Sequence, residues 1–248
     1  MLAADIDGTL TVDRGVFTLD LDAVKLLREL AARGVHVILV TGNSVPVVAG
    51  LARYLGFEDS PHVAENGCMV FYRGSRYRVC REDVSDVARL VEARLSNYLY
   101  PSWQNVYRHC DYAFNLKDAG KAQEALSKVE ELVRRLGRED VSIGYSGYAI
   151  HIRPRCSTKA AGLRLALKLV EALPSETIAV GDSPMDAELR EASRLLVAVG
   201  NADPALKKVA DIIAPGKSGE SVRWLVSKLL ELDLDIDALI HSLGASSR

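Results

Sequence analysis

Short apolar runs alternate with helical periodicity over the first 75 residues. Leu2-Ala3-Ala4 is apolar and stops at Asp5. Leu21, Val24, Leu27, Leu30 and Ala31 then recur at helical spacing, with Asp20 placed to cap the helix and Gly34 to stop it. Residues 35–40 form a nearly unbroken aliphatic run, the pattern of a strand buried on both faces. Thr41-Gly42-Asn43 ends it, and residues 45–55 predict a helix. Residues 62–67 predict a short strand and turn. Residues 69–72 and 77–79, with Gly74 between them, predict a hairpin.

The middle of the chain has a different pattern. Residues 83–97 and 118–136 predict amphipathic helices, and strand-like pieces lie at 105–108, 112–116, 141–145 and 148–153. The βα alternation then returns. Helices are predicted at 159–172, 186–193, 205–210 and 221–232, with buried strands at 177–180, 195–199 and 212–213. The predicted fold class is α/β. A parallel-sheet core over 1–77 and 154–248 is interrupted by a smaller α+β insertion over 78–153. The last five residues, Gly-Ala-Ser-Ser-Arg, are expected to fray.

Length and composition fit this reading: 248 residues, 48% hydrophobic and 26% charged. A net charge of −2 leaves no electrostatic footprint for nucleic acid or an anionic membrane. No apolar run reaches the roughly 18 residues of a membrane span. The first strand begins at once, which leaves no room for a signal peptide, and a cytoplasmic protein is expected. Cys68, Cys80, Cys110 and Cys156 have no C-x-x-C spacing and are expected to be reduced and packed. A chain with 21 Arg, 10 Lys and only two Gln leaves room for the disulfides of a thermophile.

Candidate chemistry sits at predicted strand ends, where open α/β sheets place their ligands. In Asp5-Ile6-Asp7-Gly8-Thr9, alternate residues bring two carboxylates to one face. Such a pair is costly unless a cation offsets it, and carboxylates suit Mg²⁺. A plain D-G turn is the simpler alternative. Thr41-Gly42-Asn43 offers a hydroxyl and free N–H groups for a phosphate, or merely caps the next helix. Lys159 opens a predicted helix, where a cation opposes the helix dipole, so an anionic site would explain it. In Gly181-Asp182-Ser183-Pro184-Met185-Asp186, Asp186 fits a capping box, whereas Asp182 does not.

The set and order of these four motifs resemble the haloacid dehalogenase superfamily of phosphotransferases. The resemblance covers residues 1–75 and 154–225. The insertion falls where some members carry a C2 cap, and Glu65-Asn66-Gly67 with Val199-Gly200-Asn201-Ala202 resembles the Cof-type branch. The resemblance implies a Rossmann-like three-layer core with a cap. It also implies residue roles: Asp5 as nucleophile and metal ligand, and Asp7 as general acid/base and carbonyl ligand. Thr41, Gly42 and Asn43 would contact the phosphoryl group, Lys159 would hold the nucleophile and phosphate, and Asp182 and Asp186 would serve a Mg²⁺ ion. Met185 stands where relatives often have asparagine, and only four residues precede Asp5, so its strand is short.

Within the branch, the short chain and compact cap look most like archaeal phosphoglycolate phosphatases. The expected substrate is therefore a small phosphorylated metabolite, with 2-phosphoglycolate first and a place in carbohydrate metabolism. A cap cation would then bind its carboxylate. Arg108, His109 and Arg153 are candidates, with Tyr112, Tyr145 and Tyr148 as walls. A sugar-phosphate phosphatase, a phosphomutase and a non-catalytic phosphometabolite-binding module are the alternatives. Gly216-Lys217-Ser218 does not complete a P-loop, because position 211 is Asp where Gly is needed. A cap that must exclude water is expected to open and close. The sequence does not choose between a monomer and a homodimer.

Overall fold

The computed structural model describes residues 1–243; the tail expected to fray lies outside them. The apolar runs become short parallel strands, β1 (Leu2–Ala4), β2 (Val37–Leu39), β10 (Ile178–Gly181), β11 (Leu195–Ala198) and β12 (Ile212–Ile213). They form one sheet in the order β12-β11-β10-β1-β2. β1 is central, with Leu2 opposite both Ile178 and Val37. Strand β3 (His62–Ala64) continues the sheet beyond β2 through a parallel bridge between Val40 and Val63. It also starts an antiparallel sheet with β4 (Met69–Tyr72) and β5 (Ser75–Arg78).

Helices flank the parallel sheet because each carries one apolar stripe that only burial can satisfy. α1 (Leu21–Ala32) is capped by the Asp20 carboxylate, which accepts from the N–H groups of Asp22 and Ala23. It packs against α7 (Gly219–Glu231). α2 (Val45–Leu55) ends at Gly56 in the left-handed conformation. α5 (Lys159–Leu169) packs over β3 and β4. α6 (Pro204–Val209) and α8 (Ile236–Ser242) complete the core, and α8 buries Leu239 and Ile240 although its periodicity is too short to stand out in the sequence.

The insertion is an antiparallel sheet of β6 (Leu99–Pro101), β7 (Tyr112–Leu116), β8 (Val141–Tyr145) and β9 (Ala149–Pro154), in the order β6-β7-β9-β8. Phe114, Ile150 and Ile152 face α3 (Ser85–Arg94) and α4 (Ala122–Arg135) in an apolar cluster separate from that of the core. Period-two alternation turns Ala113, Asn115, Ala149 and His151 the other way, toward the core.

Three expectations are corrected. Residues 105–108 are not a strand, because residues 103–107 form a 3₁₀ turn and the edge strand is β6. The Asn105 side chain replaces a strand partner, donating to the Ala113 carbonyl and accepting from the Ala113 N–H. The predicted helix at 186–193 is 3₁₀-like over Pro184–Ala192, its start held by side-chain bonds described below. The cysteines are not free. Folding brings Cys68 to Cys110 and Cys80 to Cys156, with Cα separations of 6.1 and 6.0 Å, and both pairs are disulfides. The first ties the core to the insertion; the second joins the two chain segments that lead into and out of it.

Candidate active site

Asp5, Thr41 and Asp182 each follow the carboxyl end of a parallel strand, so sheet geometry alone gathers them. The Asp5 N–H donates to Val180 at 3.0 Å, and Thr41 N–H to Val63 at 2.9 Å. Gly8 turns the chain after Asp7 with φ +88°, and a β-carbon there would lie 2.4 Å from Asp182 Oδ2. Glycine is required both by that conformation and by this approach.

Lys159 reaches this cluster from the first turn of α5. Its Nζ donates to Asp5 Oδ1 at 2.8 Å and to Asp186 Oδ1 at 2.5 Å. Glu188 accepts the Lys159 backbone N–H at 2.7 Å, placing a carboxylate where the helix dipole favours one. Asp186 Oδ2 accepts from the N–H groups of Asp182 and Ser183 and from Ser183 Oγ. Asp186 is thus both the capping acid and the lysine's partner. Asp182 Oδ1 accepts from Thr9 Oγ1 at 3.2 Å, and Arg14 Nε lies 2.8 Å from its Oδ2.

Burial dominates the electrostatics. It pushes Asp5 well above the ordinary carboxylate range, with Lys159 opposing and Asp186, Asp182 and Asp7 adding to the rise. Burial and Asp186 push Asp182 up to about 7. Burial works against the Lys159 charge, but Asp186 and Asp5 outweigh it and hold the ammonium above an ordinary lysine. Oxygens of Asp5, Asp182 and Asp186 lie within 4.8 Å of one another. Three buried carboxylates face one lysine and a partly exposed arginine, so negative charge is in excess. Hard oxygen donors with that excess fit Mg²⁺.

Asp7 has a separate partner. Asn43 Nδ2 donates to Asp7 Oδ2 at 2.7 Å and to Thr41 Oγ1 at 3.0 Å. Burial raises Asp7 despite that bond and the pull of Lys159. The Asn43 N–H also turns to Thr41 Oγ1, at 3.2 Å, rather than outward. With its oxygen accepting from Asn43, the Thr41 hydroxyl keeps its own proton to donate. The Gly42 N–H has no hydrogen-bond partner among the described residues.

Asp5, Asp7, Thr41, Gly42, Asn43 and Lys159 line a cleft of about 630 Å³ between the parallel sheet and the insertion, with Asp182 and Asp186 buried behind them. Of the expected selectivity residues, only Arg108 and Tyr148 line it. His109 sits outside, its Nε2 3.3 Å from Arg76 Nη1, and Arg153 is bound to Glu188 and to the Asn66 carbonyl. Tyr112 and Tyr145 pack against the apolar cluster of the insertion instead.

Several site residues have no motif of their own. Gln104 spans from the insertion to the loop after β2, accepting from Ser44 N–H and donating to Asn43 Oδ1, both at 2.7 Å. Glu65 Oε2 accepts from His109 N–H at 2.8 Å and Cys110 N–H at 3.1 Å. Glu65 and Asn66 both adopt φ 52°, a strained conformation that these contacts hold in place. Asp111 is fully buried and accepts from Asn66, Arg108 and His151. The alternation Ile150-His151-Ile152-Arg153 was the available signal that His151 and Arg153 share a face away from the apolar cluster.

A family model for haloacid dehalogenase-like hydrolases matches residues 2–125 and 104–225. The chain is 40% identical over 237 residues to a phosphoglycolate phosphatase of Metallosphaera sedula, covering 93% of this chain and 98% of that one. It is 39% identical to phosphoglycolate phosphatase 1 of Saccharolobus solfataricus, covering 95% and 97%. A crystal structure of a Thermoplasma acidophilum protein superposes with a TM-score of 0.77 at 24% identity, covering 94% and 98%, which bears on the fold alone. With the family model spanning most of the chain and both relatives above 30% identity, this protein belongs to the haloacid dehalogenase-like hydrolases.

Proposed function

We propose that this hydrolase is a Mg²⁺-dependent phosphatase of small phosphomonoesters that converts 2-phosphoglycolate to glycolate and phosphate. One observation carries the chemistry: Asp5, bound through Oδ1 to buried Lys159, shares a cleft with Asp7. The names of the relatives support the substrate.

Lys159 occupies Asp5 Oδ1 and leaves Oδ2 to attack phosphorus. The P–O bond to the leaving group breaks, and Asp7 gives that oxygen its proton. A water then attacks phosphorus of the aspartyl-phosphate, Asp7 takes its proton, and Asp5 is released. The Thr41 hydroxyl and Gly42 N–H hold the transferring oxygens. Asp5, the Asp7 carbonyl and Asp182 would hold Mg²⁺, with Asp186 acting behind them because its oxygens are already taken. The ion supplies positive charge against which a phosphate dianion can approach a carboxylate.

The test is phosphate release from a panel of monoesters with Mg²⁺ or EDTA. The expected result is Mg²⁺-dependent turnover, highest on 2-phosphoglycolate, and a loss of at least about 10³-fold in Asp5→Asn with the fold retained by circular dichroism. Normal turnover by Asp5→Asn would refute the assigned nucleophile. A cleft of about 630 Å³ also has room for a hexose phosphate. Preference for such an ester would keep the chemistry and replace the substrate by a sugar phosphate.

A further inference from the structure

We propose that Arg108 and His151, oriented by Asp111, form a subsite for a carboxylate one or two carbons from the phosphoryl group. The proposal rests on the phosphatase reading of the cleft and specifies which residues choose the substrate.

Arg108 lines the cleft although its side chain is only 3% exposed. A guanidinium buried that far has been stripped of water and needs acceptors. Asp111 meets only part of this need. Arg108 Nη1 donates to the Asp111 carbonyl at 3.1 Å and to Oδ2 at 3.0 Å. Arg108 Nε is buried with no hydrogen-bond partner, and Nη2 also has none among the described residues. Two adjacent N–H donors therefore lack an acceptor, and a planar carboxylate satisfies such a pair in bidentate fashion.

His151 stands on the same side. Its Nδ1 lies 2.9 Å from Asp111 Oδ2, which can only accept, and 3.0 Å from Asn66 Nδ2; both contacts fall on Nδ1, and Nε2 is left without a partner among the described residues. The ring reaches the phosphoryl loop, because a β-carbon on Gly42 would lie 3.3 Å from His151 Cε1. A ligand held by Thr41 and Gly42 thus meets His151 almost at once, which limits the distance between its two anionic groups. The other cations do not compete. Arg153 is bound to Glu188, and Lys159 is shared by Asp5 and Asp186.

The experiment measures equilibrium binding of 2-phosphoglycolate and of ethyl phosphate, a neutral-tailed ester of similar size, to the Asp5→Asn protein with Mg²⁺. The expected preference for 2-phosphoglycolate is about 10- to 100-fold, the range for a charge-assisted contact. Adding Arg108→Met should bring the ratio close to one, Arg108→Lys should keep part of it, and His151→Asn should lower it. A purely structural role would weaken both ligands alike and leave the ratio intact, which would overturn the subsite. Should Arg108→Met fail to fold, equal binding of the two ligands by Asp5→Asn alone would overturn it as well. Turnover by the unsubstituted enzyme tests the parent reading separately. A phosphatase without the binding preference loses the subsite and keeps the reading; a preference without turnover does the reverse.

Discussion

The two ends of the cleft are built in opposite ways. At the end built on Asp5, the residues Asp5, Asp7, Asp186 and Lys159 come from strand ends and helix starts of the core and each is bonded to a neighbour: Lys159 to Asp5 and Asp186, Asp186 to Ser183, Asp7 to Asn43. At the other end, on the insertion's side, Asp111 holds Arg108 and His151 with nitrogens to spare, among lining residues that include Trp103, Ala113 and Ala149. The first arrangement suits a reaction whose charges must be in place before the substrate arrives. The second suits discrimination, since an unpaired buried donor penalises any ligand that fails to meet it.

The largest expected effect comes from breaking the phosphoryl end at its centre. Lys159→Met leaves Asp5 and Asp186 facing each other without a counter-charge. Removing one partner from a buried ion cluster costs about 3–5 kcal/mol. Denaturant melts without metal should show a loss of that size, and turnover should fall by about 10³-fold or more. Added Mg²⁺ should restore part of the stability but not the turnover, because the ion replaces charge and not the hydrogen bond that orients Asp5. Full stability in the metal-free variant would show that the end is less tightly coupled than its geometry implies.

The next effect falls on the joint between the ends. Loop 108–111 belongs to the insertion, yet Glu65 and Asn66 and the Cys68–Cys110 disulfide hold it to the core. A cap that opens as one rigid body would have to break all of these. Cys110→Ser should lower stability by about 2–4 kcal/mol, read as a fall in denaturant midpoint with a steeper slope, because the unfolded chain loses a crosslink and exposes more surface. Turnover should change less than about threefold, because the polar contacts persist. A large rise in KM with unchanged kcat would instead show that the disulfide alone keeps the far end in shape.

The contrast also explains what was legible in the sequence. Asp5, Thr41 and Asp182 follow apolar runs whose strand character is local, so their meeting follows from the topology of a parallel sheet. Lys159 was legible as a cation in an unfavourable place, and burial among carboxylates explains it. The capping-box reading of Asp186 was correct but incomplete, because the same carboxylate holds Lys159. The far end depends on contacts between distant segments, and only the alternation around His151 marks any of it locally. Arg108 and Arg153 looked equivalent until Glu188 took Arg153. The cysteine pairs lie 42 and 76 residues apart, and only the docking of the insertion makes them neighbours.

Gln104 joins the insertion, through Asn43, to Asp7, the proposed acid/base, and it carries the smallest predicted effect. Ser44 N–H can only donate, so the Gln104 oxygen must face it, at 2.7 Å. The Gln104 amide nitrogen then faces Asn43 Oδ1, and the Asn43 nitrogen faces Asp7 Oδ2, each also at 2.7 Å. One backbone donor thus sets the polarity of the whole chain of amides. Gln104→Leu frees Asn43 to rotate, and losing one such bond, about 1 kcal/mol, should lower kcat roughly fivefold to tenfold with KM nearly unchanged. Gln104→Glu keeps the size and still accepts from Ser44 N–H, but a carboxylate cannot donate to Asn43. It should therefore resemble Gln104→Leu in kcat while matching the unsubstituted protein in thermal stability. Full activity in Gln104→Glu would mean that Asn43 holds Asp7 without help from the cap, and the two ends of the cleft would then be independent.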